Sequence, residues 1–171
     1  MDIPRSHHGI RLLHQQRHAN FVEEYDPSAQ PISSRKLMAP DSDAFECEIN
    51  GDILLVTPVH DFSSARDSDL RDAYNEMYRQ LMAGSARHLI IDFSHVSYFG
   101  STFVGMMSRL AKRAADSGGR TVLCHLNDDA RSILKQLMLL ENSKADFFWK
   151  PAETREIAIQ SLQSDAVGQQ G

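Results

Sequence analysis

The run Leu89-Ile90-Ile91-Asp92-Phe93-Ser94-His95-Val96-Ser97-Tyr98-Phe99-Gly100-Ser101-Thr102-Phe103-Val104-Gly105-Met106-Met107-Ser108-Arg109-Leu110-Ala111 decides how this chain is read. Its first five residues are nearly all apolar, as in a strand buried on both faces. From Val104 on, the apolar residues Val104, Met107, Leu110, Ala111 and Ala114 recur at helical spacing. A strand therefore hands over to a helix across Tyr98–Gly105, and two hydroxyl residues, Ser101 and Thr102, fall at the helix N-terminus. That end presents N–H groups without intrahelical partners and the positive end of the helix dipole, so it accommodates a phosphate. The pattern points to a phosphorylation switch rather than to a catalytic centre.

Upstream, Phe45-Glu46-Cys47-Glu48-Ile49 alternates apolar and polar, Asn50-Gly51 is a two-residue hairpin signal, and Ile53-Leu54-Leu55-Val56-Thr57 is the return strand. Leu70, Ala73, Tyr74, Met77, Leu81 and Met82 then recur on one helical face, and Gly84 closes that helix. Downstream, the helix opened by Ser101 ends at Gly118-Gly119, and Arg120 to Leu126 reads as another buried strand. Asn127 is an N-cap with Asp128 and Asp129 in the first turn of a helix carrying Ile133, Leu134, Leu137, Met138 and Leu140. Asp146 to Trp149 reads as a short strand, and Pro151 as the start of a last helix with Ile157, Ala158 and Leu162 on its apolar face. The expected architecture is a single α/β domain: a mostly parallel, four- to five-stranded sheet with helices, opened by a β-hairpin.

The 171 residues suit one domain with a real core. The formal net charge of −5 argues against a nucleic-acid partner, whose phosphate backbone needs a dense Lys/Arg surface. No apolar run approaches the roughly 20 residues of a membrane span, and no apolar core of signal-peptide length follows Arg5, His7 and His8. A cytoplasmic location is expected. Residues 1–43 have the texture of a flexible polar leader, holding His7, His8, His14 and His18 with Pro4, Pro27, Pro31 and Pro40. A short helix over residues 10–24 would set His14 and His18 one turn apart, but no carboxylate or cysteine completes a metal set, so a solvated tail is favoured. Residues 44–163 form the domain, and 164–171 read as a disordered tail. Cys47 and Cys124 form no CxxC pair and read as buried thiols in a reduced compartment.

This order of elements, with a strand–turn–helix serine at its centre, resembles the STAS domain of bacterial anti-sigma-factor antagonists over residues 44–163. The resemblance lies in the opening hairpin, the apolar strand ending Asp92-Phe93-Ser94, the Gly118-Gly119-Arg120-Thr121-Val122-Leu123 corner and the Asn127–Leu140 segment. The family's switch motif reads Asp-Ser-Ser-Gly-Leu-Gly, and Gly100-Ser101-Thr102-Phe103-Val104-Gly105 aligns with it. The resemblance implies a regulatory protein–protein interaction domain that binds a kinase-type anti-sigma factor, with Ser101 as phosphate acceptor. It implies a partner surface drawn from Phe99, Gly100, Thr102, Phe103 and Met106. Gly100 replaces the family's acidic residue and Phe103 its glycine, which favours an alternative: a STAS-type scaffold or complex subunit, in signalling or lipid transport, without a serine switch. Read from the residues alone, Ser101 is equally an ordinary helix N-cap, and the Phe103/Met106 stripe is either core or an exposed recognition patch.

Catalysis is not expected. Neither a Walker A loop, a GxGxxG fingerprint nor a Gly-x-Ser-x-Gly elbow occurs. In a strand, Cys124 and His125 point to opposite faces and form no nucleophile–base pair. Asp92, Asp61 and His60 fall at strand ends where they could approach Ser101, without completing a Ser/His/Asp set. No cofactor or metal is expected, and Asp128-Asp129 read as helix-dipole partners.

Overall fold

The computed structural model describes residues 35–37, 44–59, 61–62, 67–140 and 149–168, all within the unit Pro31–Gly171. Strands β1 (Arg35–Leu37), β2 (Phe45–Asn50), β3 (Ile53–Pro58), β4 (His88–Asp92), β5 (Thr121–Cys124) and β6 (Trp149–Ala152) form one sheet in sequential order. The β1–β2 and β2–β3 pairs are antiparallel, and the β3–β4, β4–β5 and β5–β6 pairs are parallel. Helices α1 (Asp67–Met82), α2 (Ser101–Asp116) and α3 (Asp128–Gln136) connect the parallel strands, and α4 (Arg155–Gly168) follows the last.

Period-two alternation sorts the central strands between two cores. Leu54, Val56, Leu89, Ile91 and Leu123 pack with α1, α2 and α3, while Ile53, Leu55, Ile90, Val122 and Cys124 pack under Ala158 and Leu162 of α4. Three helices thus cover one face of the sheet and one helix the other. That double cover explains why β3, β4 and β5 are buried at every position. The turn after α2 is sterically fixed: a Cβ on Gly119 would lie 1.8 Å from the carbonyl oxygen of Arg87, so only glycine lets the two segments pass.

The structure moves several expected boundaries. The hairpin loop is Gly51-Asp52, because Asn50 still pairs with Ile53; Gly51 takes φ 61° at the first loop position, the glycine-led form of a two-residue turn. The sheet has six strands because Arg35–Leu37, read as leader, pairs with β2; three residues are too short a run to show a strand pattern in sequence. Helix α3 stops at Gln136, and the left-handed Met138 (φ 56°) turns the chain away, so Leu134 is buried while Ile133, Leu137 and Met138 are exposed. Pro151 lies in β6 opposite Leu123 rather than at a helix start. Helix α4 begins at Arg155 because Thr154 caps it, its Oγ1 accepting the Ile157 N–H at 3.3 Å, and it continues to Gly168 through residues read as tail. The segment over residues 10–24 with His14 and His18, His60, residues 146–148 and residues 169–171 lie outside the described residues.

Candidate functional site

The loop from β4 to α2 is tied down by short polar side chains before it reaches the hydroxyl pair. Asp92 Oδ1 accepts the Ser94 N–H at 3.0 Å, and Asp61 Oδ1 accepts the N–H groups of Ser97 and Tyr98 at 2.7 and 2.9 Å. Asn127 donates through Nδ2 to the Val96 carbonyl while its Oδ1 caps α3 by accepting the Ala130 N–H. Beneath the loop lies a cluster of rings. Phe103 stacks on Phe62 at 4.5 Å and meets Phe93 edge-on at 5.8 Å, and Phe99 lies 5.7 Å from Phe103. Apolar anchoring below and hydrogen bonding above fix where α2 starts.

At that start, Gly100 is the N-cap, in extended conformation and with no side-chain cap; Ser101 is the first helical residue. Ser101 is therefore not the helix cap. Ser101 and Thr102 are exposed, and no acidic residue occupies the first turn. Gly100 is half-buried, Phe99 and Phe103 are buried at 5% and 2% exposure, and Met106 is buried at 9%. The second apolar stripe of α2 is core, because the helix is wedged between α1 and the sheet and buries two adjacent faces. Of the five residues named as a partner surface, only Gly100 and Thr102 offer accessible atoms beyond a margin of Met106.

Ser101 and Thr102 open onto a groove of about 500 Å³ between two helices, walled by Leu70, Arg71 and Tyr74 of α1 and by Gly105, Met106 and Arg109 of α2. Gly105 forms part of its floor, and a Cβ there would meet nothing within 4 Å. Burial raises the Tyr74 hydroxyl above its usual pKa, against the opposing charge and hydrogen bond of Arg109. Among the described residues neither Arg71 nor Arg109 pairs with a carboxylate. Sequence reading missed these arginines because they lie on helix faces that periodicity marks only as polar.

A second polar cluster closes the carboxyl end of the sheet. Asp92, 1% exposed, receives Arg155 Nη2 at 2.7 Å and Nε at 3.1 Å on Oδ2, and His125 Nδ1 lies 2.7 Å from Oδ1. Burial opposes ionisation of Asp92, but hydrogen bonds from Arg155, His125 and Ser94 outweigh it and hold the carboxyl below its ordinary value. Arg155 also donates to Thr57 Oγ1 at 3.2 Å. The strand ends at Cys124 and His125 takes a left-handed φ of 55°, so their side chains converge: Asp92, Cys124 and His125 bring ligand atoms within 4.8 Å of one another. The expected divergence of Cys124 and His125 is thereby corrected. The convergence yields no nucleophile, because burial pushes the Cys124 thiol up to about 12. A cation at this triad would have to break the His125–Asp92 contact and share the carboxylate with Arg155. Nothing in the sequence marks Arg155 as the partner of a residue 63 positions earlier.

The model of the STAS domain family matches residues 44–153. Among solved structures, the anti-sigma factor antagonist SpoIIAA in its unphosphorylated form is similar with a TM-score of 0.55 at 16% identity, covering 70% of this chain and 98% of that one. The phosphorylated form of the Bacillus cell fate determinant SpoIIAA gives 0.54 at 17% identity, covering 69% and 98%. A putative anti-sigma factor antagonist from Thermotoga maritima gives 0.55 at 14% identity, covering 71% and 97%. No curated protein matches the chain. At these identities the likeness is one of fold.

Proposed function

This chain belongs to the STAS domain family, and from that membership we propose that it acts as an anti-sigma-factor antagonist: a regulatory domain that binds a kinase-type anti-sigma factor and is released when Ser101 is phosphorylated. The observation that carries the reading is the position of Ser101. It is exposed at the first position of α2, is not used as a cap, and opens onto a groove with two cationic walls. A phosphate there adds roughly −1.5 to −2 charge beside N–H groups that lack intrahelical partners. The partner surface comprises Gly100, Ser101, Thr102 and the groove that Met106 helps to wall, while Phe99 and Phe103 act from beneath by fixing the start of α2. Competition for this surface, with charge as the switch, frees the partner to capture a sigma factor. The setting is cytoplasmic, and no helix among the described residues is long and apolar enough to cross a membrane.

The test is a pull-down from native lysate with wild-type, Ser101→Ala and Ser101→Asp baits. A kinase-type partner retained by wild type and Ser101→Ala but lost by Ser101→Asp supports the switch. Equal capture by all three baits refutes it. A second reading, a constitutive STAS-type scaffold, is favoured by Gly100 and Phe103 standing where the family motif has an acid and a glycine; equal capture by all three makes it the leading one.

A further inference from the structure

Most basic side chains with a described partner in this acidic chain face a carboxylate: Lys36 with Glu46, Arg87 with Asp52, Lys112 with Asp116 and Arg155 with Asp92. Among the described residues Arg71 and Arg109 do not, yet they approach the same groove from two different helices, and no described carboxylate lines it. We infer that Arg71 and Arg109 form a clamp that takes up a phosphate monoester on Ser101, so that modification fills the α1/α2 groove from within. The inference rests on the reading of Ser101 as phosphate acceptor.

The geometry is suited to this. Arg109 lies seven residues after Thr102, almost two full turns, so both share one stripe of α2. Long helical side chains lean toward the N-terminus, which aims the Arg109 guanidinium back at the hydroxyl pair. Arg109 and Tyr74 line the groove from opposite helices, and the Arg109 charge opposes the burial that raises the Tyr74 hydroxyl. Gly105 keeps the floor clear between them, at a helix-interior position where glycine is about 1 kcal/mol worse than alanine and where open space surrounds its Cα. Planar guanidinium forks bind phosphate oxygens in pairs, so two arginines neutralise a dianion. The unmodified groove is a cationic slot able to receive a partner's carboxylate, and the phosphate occupies that slot in cis. The added charge thus acts inside the groove, by occupying the two arginines that a partner's carboxylate would use.

The experiment uses full-length chain carrying phosphoserine incorporated at position 101, titrated by ³¹P NMR as wild type and as the Arg71→Gln/Arg109→Gln double variant. A free phosphoserine loses its second proton near a pKa of about 6. The clamp predicts a midpoint lower in the wild type than in the double variant by about one unit, a tenfold change in proton affinity. The helix N-terminus is common to both proteins, so the difference isolates the arginines. Both substitutions are on exposed side chains, and a circular dichroism melt of each protein checks the fold. Equal midpoints overturn the clamp and leave the switch standing. Partner binding indifferent to the phosphate refutes the switch, while the titration still decides the clamp.

Discussion

Truncating Phe103 separates its two sequence readings, as core or as recognition surface. Its ring is 2% exposed and meets three others, Phe62 at 4.5 Å, Phe93 at 5.8 Å and Phe99 at 5.7 Å. Phe103→Ala loses those contacts, each worth roughly 0.5–1.5 kcal/mol. It also leaves a void under a helix held between α1 and the sheet, which cannot collapse to fill it. Core Phe→Ala changes cost about 3–5 kcal/mol. With a urea dependence of about 2 kcal/mol per molar, the unfolding midpoint falls by roughly 1.5–2.5 M. The single tryptophan, Trp149, is 1% exposed in the same core and reports the transition by fluorescence. Ser101→Ala, an exposed change made in parallel, moves the midpoint by no more than about 0.25 M. Because the loss approaches the whole stability of a small domain, Phe103→Leu provides a milder variant with a smaller fall. An unmoved midpoint for Phe103→Ala, with partner capture abolished, would falsify the core assignment and return Phe103 to the binding surface.

Gly105→Ala adds a methyl to open space and removes the helix penalty of glycine, so stability rises by about 1 kcal/mol, read as a higher urea midpoint. Gly119→Ala does the opposite: its Cβ would lie 1.8 Å from the Arg87 oxygen, and the cost reaches the upper end of about 1–3 kcal/mol, seen as a depressed melting temperature. Asp92→Asn leaves Arg155 without its charge partner and costs about 3 kcal/mol at pH 7, at the low end for a broken buried pair because Arg155 is 35% exposed. Since the folded carboxyl titrates below its ordinary value, the pair's contribution is fully present above the unfolded pKa of about 3.9 and is lost as pH falls through the lower folded one. Urea melts of wild type and Asp92→Asn should therefore stay apart from pH 7 to about 5 and converge below about 4; a constant gap down to pH 2.5 would argue against an ionised Asp92.

What could be read from the chain follows from how local each signal is. Alternation in Phe45–Ile49, the nearly all-apolar run Leu89–Phe93 and the Asn127 cap are written in neighbouring residues, and each appears where expected. Pro151 was misread because proline favours a helix start and an edge strand alike, and only pairing with Leu123 decides between them. The burial of Phe103 against Phe62, Phe93 and Phe99, and of Met106 beside α1, depends on contacts between distant segments that a helical wheel does not contain. The place of Ser101 between strand and helix was legible, and it does open α2. Its groove was not, since Arg71 and Arg109 become neighbours only when α1 and α2 pack.

The two margins of the sheet set how this molecule behaves when concentrated. An open strand edge invites another chain to continue it, the first step toward fibrous aggregates. Here one margin is β1, three residues long, with the exposed Lys36–Glu46 pair spanning β1 and β2. The other is β6, four residues long, where Pro151 has no N–H to give and Lys150 holds its charge in water. Among the described residues, both ends of the sheet are therefore poor templates for a further strand. Growth of the sheet by an added strand is thus disfavoured at both described margins.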